Sequence, residues 1–122
     1  MRRSFIALSS CIALGLASLA HAAPPAQVSD GALVGPNGMS LYTFDKDAGG
    51  KSACSGPCAT IWPPLAAAAD AKPEGDWTVI ARDDGSKQWA YKGKPLYFWK
   101  DDKKAGDATG DGRNNIWHIA AP

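Results

Sequence analysis

"GMSLYTFDKD", residues 38–47, is answered fifty-five residues later by "GKPLYFWKDD", residues 93–102. Gly38, Leu41, Tyr42 and Asp47 recur as Gly93, Leu96, Tyr97 and Asp102, and Trp99 stands where Phe44 stood. Held at that offset without gaps, residues 38–62 match 93–117 at seven positions; the other three pairs are Ala53 with Ala108, Ile61 with Ile116 and Trp62 with Trp117. Average composition gives about one or two matches by chance in such a window. The chain therefore reads as a tandem duplication of strand, turn, strand, long loop, then Ile-Trp. Two units are too few for a solenoid, so they are expected to pack on each other around one core.

Neighbouring residues of a strand point to opposite faces. Leu41 and Thr43 share one face, and Tyr42 and Phe44 the other. Leu96 and Phe98 share one, and Tyr97 and Trp99 the other. The Tyr-x-aromatic face is thus kept in both copies. In the preferred reading it is shared core, with Trp62 and Trp117 packed on it. Buried tyrosine and tryptophan need a polar partner. Asp47 and Asp102 are candidates to accept those bonds, or to cap the loops that follow. The rival reading is an aromatic ligand cleft with an acid at its lip.

Working outward, "ALVGPNGMSLYTF" reads as two strands joined by a type I′ turn at Asn37-Gly38. "SGPCATIW" reads as one helical turn with Ser55 as cap and Pro57 early in it. "WTVIAR" and "KQWAY" are strands joined through Asp84-Gly85, and "KPLYFWK" follows through Lys92-Gly93. "NIWHIA" closes the chain as a strand or short turn. The fold expected is mostly β: one small antiparallel domain built from two hairpin-plus-loop repeats, with at most short helical turns. Its bounds are 31–122, with repeat 1 over about 31–66, a linker and extra strand over 67–84, and repeat 2 over about 85–121.

The N-terminus reads as a secretory signal over residues 1–22. Arg2 and Arg3 precede an apolar stretch too short for a stable membrane span, and "AHA" at 20–22 is an A-x-A cleavage site. "RRSFI" bears some likeness to a twin-arginine signal, so the export route stays open. "LSSC" at 8–11 also fits a lipidation pattern at Cys11, but that cut would waste most of the apolar run. A cut after Ala22 is preferred, leaving a flexible lead-in over 23–30 and no membrane-spanning segment in the mature chain. The expected location is periplasmic or secreted. Losing Arg2 and Arg3 from the 13 Lys and Arg leaves 11 against 12 Asp and Glu, and no basic surplus for nucleic acid.

"LYTFDKD", "LYFWKDD", "CSGPCATIWPPL" and the C-terminal "IWHI" together resemble the bacterial secreted-repeat family of predicted lipoproteins, defined by a Tyr-x-(Phe/Trp/Tyr)-x-x-Asp motif. The motif falls on Tyr42, Phe44 and Asp47, and on Tyr97, Trp99 and Asp102. The resemblance spans about residues 31–120 and implies an exported envelope protein. It implies no activity, because the family's function is unassigned. Many members look lipid-anchored, and a cut after Ala22 departs from that pattern.

Cys54 and Cys58 are the cysteines left after cleavage, and in an oxidising compartment they are most simply a disulfide. A thiol-redox pair is disfavoured by the C-x3-C spacing. A soft Cu(I) site at Cys54 and Cys58 would have to recruit His118 or Met39, the mature chain's one histidine and one methionine. "DATGDG", residues 107–112, echoes half a calcium loop, but His118 falls where a bidentate Glu is needed; it is read as a turn. No nucleophile motif accompanies His118, so no catalytic residue and no cofactor is expected. The function expected is a non-enzymatic binding or structural module for an envelope protein or small ligand. A copper or thiol-redox accessory protein using Cys54 and Cys58 is the alternative.

Overall fold

The computed structural model describes residues 25–122. The expected leader, its cut after Ala22, and Cys11 lie outside those residues. The chain begins with a hairpin of β1 (Gln27–Ser29) and β2 (Ala32–Val34). Asp30 and Gly31 join them at φ 52° and 79°, the two positive angles a tight I′ turn requires. Residues expected in a flexible lead-in over 23–30 therefore carry a paired strand instead. β3 (Tyr42–Phe44) follows, then the helical turn α1 (Pro57–Ile61) and β4 (Ala66–Ala67). β5 (Trp77–Ala81), β6 (Lys87–Tyr91) and β7 (Lys94–Pro95) form a meander, and β8 (Trp117–Ile119) ends the chain. Every strand pairing is antiparallel.

Two local expectations are corrected. Asn37-Gly38 is not a I′ turn, because Gly38 has φ 81° while Asn37 is not at positive φ. The turn runs from Gly35 to Gly38, closed by the Gly38 N–H to the Gly35 carbonyl at 2.9 Å, with Pro36 supplying its preset φ at the second position. The Asn37 side chain instead accepts from the Met39 N–H at 3.0 Å. In α1 the cap is Gly56 rather than Ser55, with no side-chain cap bond; Pro57 sits at the first helical position, where its missing N–H costs nothing. By contrast, Lys92 and Gly93 at φ 49° and 82° do form a two-residue I′ turn.

The two copies do not fold side by side. Each finishes as a strand of the other. The Ala120 N–H donates to the Leu41 carbonyl at 2.9 Å, and the Ala120 carbonyl accepts from Leu33 at 3.0 Å. At the matching place in the other copy, Leu65 donates to the Leu96 carbonyl at 2.9 Å and accepts from Trp89 at 2.9 Å. Asp45 to Ile116, at 2.8 Å, is mirrored by Lys100 to Ile61, at 3.0 Å. The pairing of β3 with β8 is mirrored by a bridge between Tyr97 and Pro64. At the centre Tyr42 and Tyr97 exchange both backbone bonds, at 2.8 and 3.0 Å. This is a pseudo-twofold arrangement with exchanged ends, so neither copy has a complete sheet by itself.

The alternation of side chains across these strands makes two cores. Leu33, Leu41, Leu65, Leu96 and Ala120 are buried on one side, with Phe98 packed against them. Tyr42, Tyr97, Trp62, Trp99, Trp117 and Cys54 are buried on the other, flanked by Phe44 and Cys58.

Candidate functional site

The six motif side chains meet in the second core, and they cross between copies. The Tyr42 hydroxyl donates to Asp102 at 2.6 Å, and the Tyr97 hydroxyl donates to Asp47 at 2.7 Å. Each carboxylate also ties down the loop that follows it. Asp47 accepts from the Ala53 N–H at 2.6 Å, and Asp102 accepts from the Thr109 N–H and hydroxyl at 2.9 and 2.7 Å. Asp102 is buried with no cation bonded to it among the described residues, and these three donors replace its lost water. Burial, reinforced by the partner carboxylate, holds both phenols well above the ordinary tyrosine range, so both stay neutral donors. Burial also raises the Asp47 carboxyl, against the opposing pull of its Ala53 and Tyr97 bonds and the Arg82 charge.

Four rings stack through this core in the order Phe44, Trp117, Trp62, Trp99. Their centroid separations are 4.0, 3.8 and 4.3 Å, and they alternate between copies. Tyr42 meets Trp62 edge-on at 5.3 Å, and Tyr97 meets Trp117 edge-on at 5.2 Å, a second pair of symmetry-matched contacts. The Arg113 guanidinium lies 4.6 Å from the centre of the Trp99 ring and covers that end of the stack. The Trp99 indole N–H is buried without a partner among the described residues. Gly110 backs onto the stack so closely that a Cβ there would lie 2.8 Å from Trp62 and 2.9 Å from Trp99. Its N–H also donates to the Tyr42 oxygen at 3.2 Å. Gly110 and Ser52, which bonds the Tyr97 hydroxyl at 2.6 Å, are parts of the site that the motif does not announce. Their loops read only as turn-rich.

Cys54 and Cys58 are joined as a disulfide. The Cys54 carbonyl accepts from the buried Arg82 at 2.6 Å, and Arg82 also donates to Ser52 at 3.0 Å and to Gln88 at 2.6 Å. Arg82 thus fastens the disulfide loop of one copy to the meander of the other. The four metal candidates do not converge. The two sulfurs are bonded to each other, Met39 follows the Gly35–Gly38 turn, and His118 meets Asp45 at 2.7 Å. Among the described residues, no group of three His, Cys, Asp or Glu side chains could hold a metal ion. The carboxylates of the calcium-like stretch point at backbone: Asp107 accepts from Lys103 and Lys104, and Asp111 from Ile119.

A groove of about 610 Å³ lies elsewhere, beside the β5–β6 hairpin. Trp77 and Trp89 form one wall, and the segment from Ala68 to Glu74 forms the other. Their rings stand edge-to-face at 6.2 Å, and Tyr91 lies 4.8 Å from Trp77. The hairpin of β1 and β2 has no aromatic residue, so the pseudo-twofold does not repeat this surface.

The fold and motif core define a duplicated, end-exchanged β domain. A family model described as a secreted repeat of unknown function matches residues 26–66 and again 78–121, once for each copy, and the chain belongs to that family. Comparison with curated proteins and with solved structures finds no match. No helix among the described residues is long and apolar enough to cross a membrane.

Proposed function

We propose that the protein is an exported, non-enzymatic binding module of the periplasm. In this reading the Tyr-x-aromatic-x-x-Asp motif builds the scaffold, and the groove beside Trp77 and Trp89 takes the ligand. The observation that carries it is the engagement of the motif side chains with one another. Tyr42, Tyr97, Trp99 and Asp102 are buried, and both tyrosines are bonded to the acid of the other copy. A motif spent in this way holds the fold together and leaves recognition to surfaces that the duplication does not repeat. Export is supported by the family's description and by the leader-like N-terminus.

Native mass spectrometry of the protein isolated from its own envelope tests this reading. The expected mature chain begins at Ala23, loses no mass as lipid, and gains two hydrogens on reduction of Cys54–Cys58. It carries a bound organic species that Trp77→Ala loses. A lipid-bearing N-terminus at Cys11 would contradict the location, and a ligand-free parent protein would contradict the binding role.

A further inference from the structure

Resting on the groove's role as a binding site, we propose that its ligand is a carbohydrate: a neutral or amino-sugar oligosaccharide that stacks on Trp77 and Trp89. Three features of the groove select this chemistry.

The first is what the aromatic wall offers. Trp77 and Trp89 are only partly buried and are packed against the leucine core. That packing fixes the rings while leaving apolar area in the groove. Rigid ring faces suit the C–H faces of pyranose rings, and stacking adds to area burial alone. Trp77 and Trp89 each carry an indole N–H, a donor of the kind that sugar hydroxyls accept. A volume of about 610 Å³ is within the usual range for small-ligand sites.

The second is charge. The opposite wall carries Asp70 and Glu74 against Lys72. With the Lys87 ammonium on the Ala69 carbonyl, two acids face two lysines, so the wall has no cationic surplus to hold a phosphate, a nucleic acid or an anionic lipid. The wall favours a ligand whose hydroxyls or amines donate to carboxylates.

The third is the backbone. At the groove, Trp77 and Glu74 already exchange both backbone bonds at 2.9 Å, and the Asp76 carbonyl accepts from Lys92 at 2.8 Å. An extended peptide binding by strand addition needs unpaired backbone groups, and at Trp77 and Glu74, where β5 meets the groove, these are spent. Side chains are left to read the ligand. The wall itself is anchored, since Lys87 donates to the Ala69 carbonyl at 3.1 Å. Anchored walls reduce the ordering cost of binding.

The test uses the mature protein and its five tryptophan indole N–H signals in a nitrogen–proton correlation spectrum. Titrants are the trimer of N-acetylglucosamine, the chemistry of wall glycan, and a glucose trimer, the chemistry of a neutral exopolysaccharide. A sulfated dextran serves as the anionic control. We expect saturable shifts confined to the Trp77 and Trp89 signals with one or both neutral trimers, and none with the sulfated polymer. Trp77→Ala should weaken binding by roughly tenfold, the loss of one stacked ring. Because Trp77 also touches the core, Glu74→Gln is the companion variant. It is exposed, should melt like the parent, and should weaken binding by about three- to tenfold. No shift at millimolar sugar overturns the proposal, and so does binding unchanged in both variants. A groove that holds a peptide or lipid in native mass spectrometry, yet ignores both sugars, would overturn the carbohydrate and keep the binding module. A groove that is empty in both experiments would overturn both.

Discussion

Tyr42 and Tyr97 face each other across the pseudo-twofold and exchange both backbone hydrogen bonds, while their hydroxyls run to the acids of opposite copies. The two halves are therefore joined twice at one point, by main chain and by side chain. Cooperative unfolding of the whole domain follows, because neither half keeps its sheet or its carboxylate partners when the other opens.

The aromatic stack should be unequal at its two ends. Trp99 is 7% exposed, whereas Phe44 is only partly buried. Trp99→Ala should cost about 3–5 kcal/mol, the range for a buried large aromatic. Phe44→Ala should cost less, at the lower edge of that range or below. Position in the stack is invisible in the motif, which gives the two rings the same place. Urea unfolding of both variants measures this. Parent-like stability for Trp99→Ala would contradict a core role.

Gly110 is required by closeness rather than by backbone conformation. Its Cβ would fall 2.8 Å from a Trp62 ring carbon and 2.9 Å from one in Trp99, both held in the stack. Gly110→Ala should cost about 1–3 kcal/mol through overpacking. Gly112→Ala, with open space around its Cβ but φ at 81°, should suffer only the left-handed backbone penalty of roughly 1–2 kcal/mol. Thermal melts of the pair, read with tryptophan near-ultraviolet dichroism, separate the two causes. Only Gly110→Ala should disturb the ring signal.

High pH should attack the tyrosine pairs. Burial first, and the facing carboxylates after it, raise Tyr42 and Tyr97 above the ordinary value in the fold. Below about pH 10, the unfolded value, both states keep their protons and stability is unaffected. Above it only the unfolded chain ionises freely, so stability falls with rising pH. Replacing both with Phe should flatten that alkaline decline, though the variant starts from lower stability. An equally steep decline in the double variant would contradict the shifted phenols.

The architecture was largely legible and the connectivity was not. Tyr42, Phe44, Tyr97 and Trp99 lie on one strand face because alternation places them there, and the structure puts them in one core. The exchange of ends could not be read, since the motif puts Asp102 five residues from Tyr97 and only the folded sheet brings it to Tyr42. The first hairpin was missed although Asp30-Gly31 carries a two-residue turn signal. Its strand "QVS" is short and polar and shows little alternation. Ser55 offered a better cap side chain than Gly56, yet the helix starts one residue later, where the φ of 60° suits glycine. The groove residues lay in segments read as strand and linker, because Trp77 and Trp89 match nothing in the other copy and no pattern linked them to Ala68–Glu74.

The most direct test of the exchanged architecture is a pair of double-mutant cycles on unfolding free energy. One combines Tyr42→Phe with Asp102→Asn, across copies. The other combines Tyr42→Phe with Asp47→Asn, within a copy. Removing the Tyr42 hydroxyl alone should cost about 1–3 kcal/mol, because it leaves buried Asp102 short of a donor. Bonded partners couple by about 0.5–3 kcal/mol, whereas independent sites add to within roughly 0.5 kcal/mol. The structure predicts coupling for Tyr42 with Asp102 and near-additivity for Tyr42 with Asp47. Coupling within the copy, and none across it, would contradict the exchange.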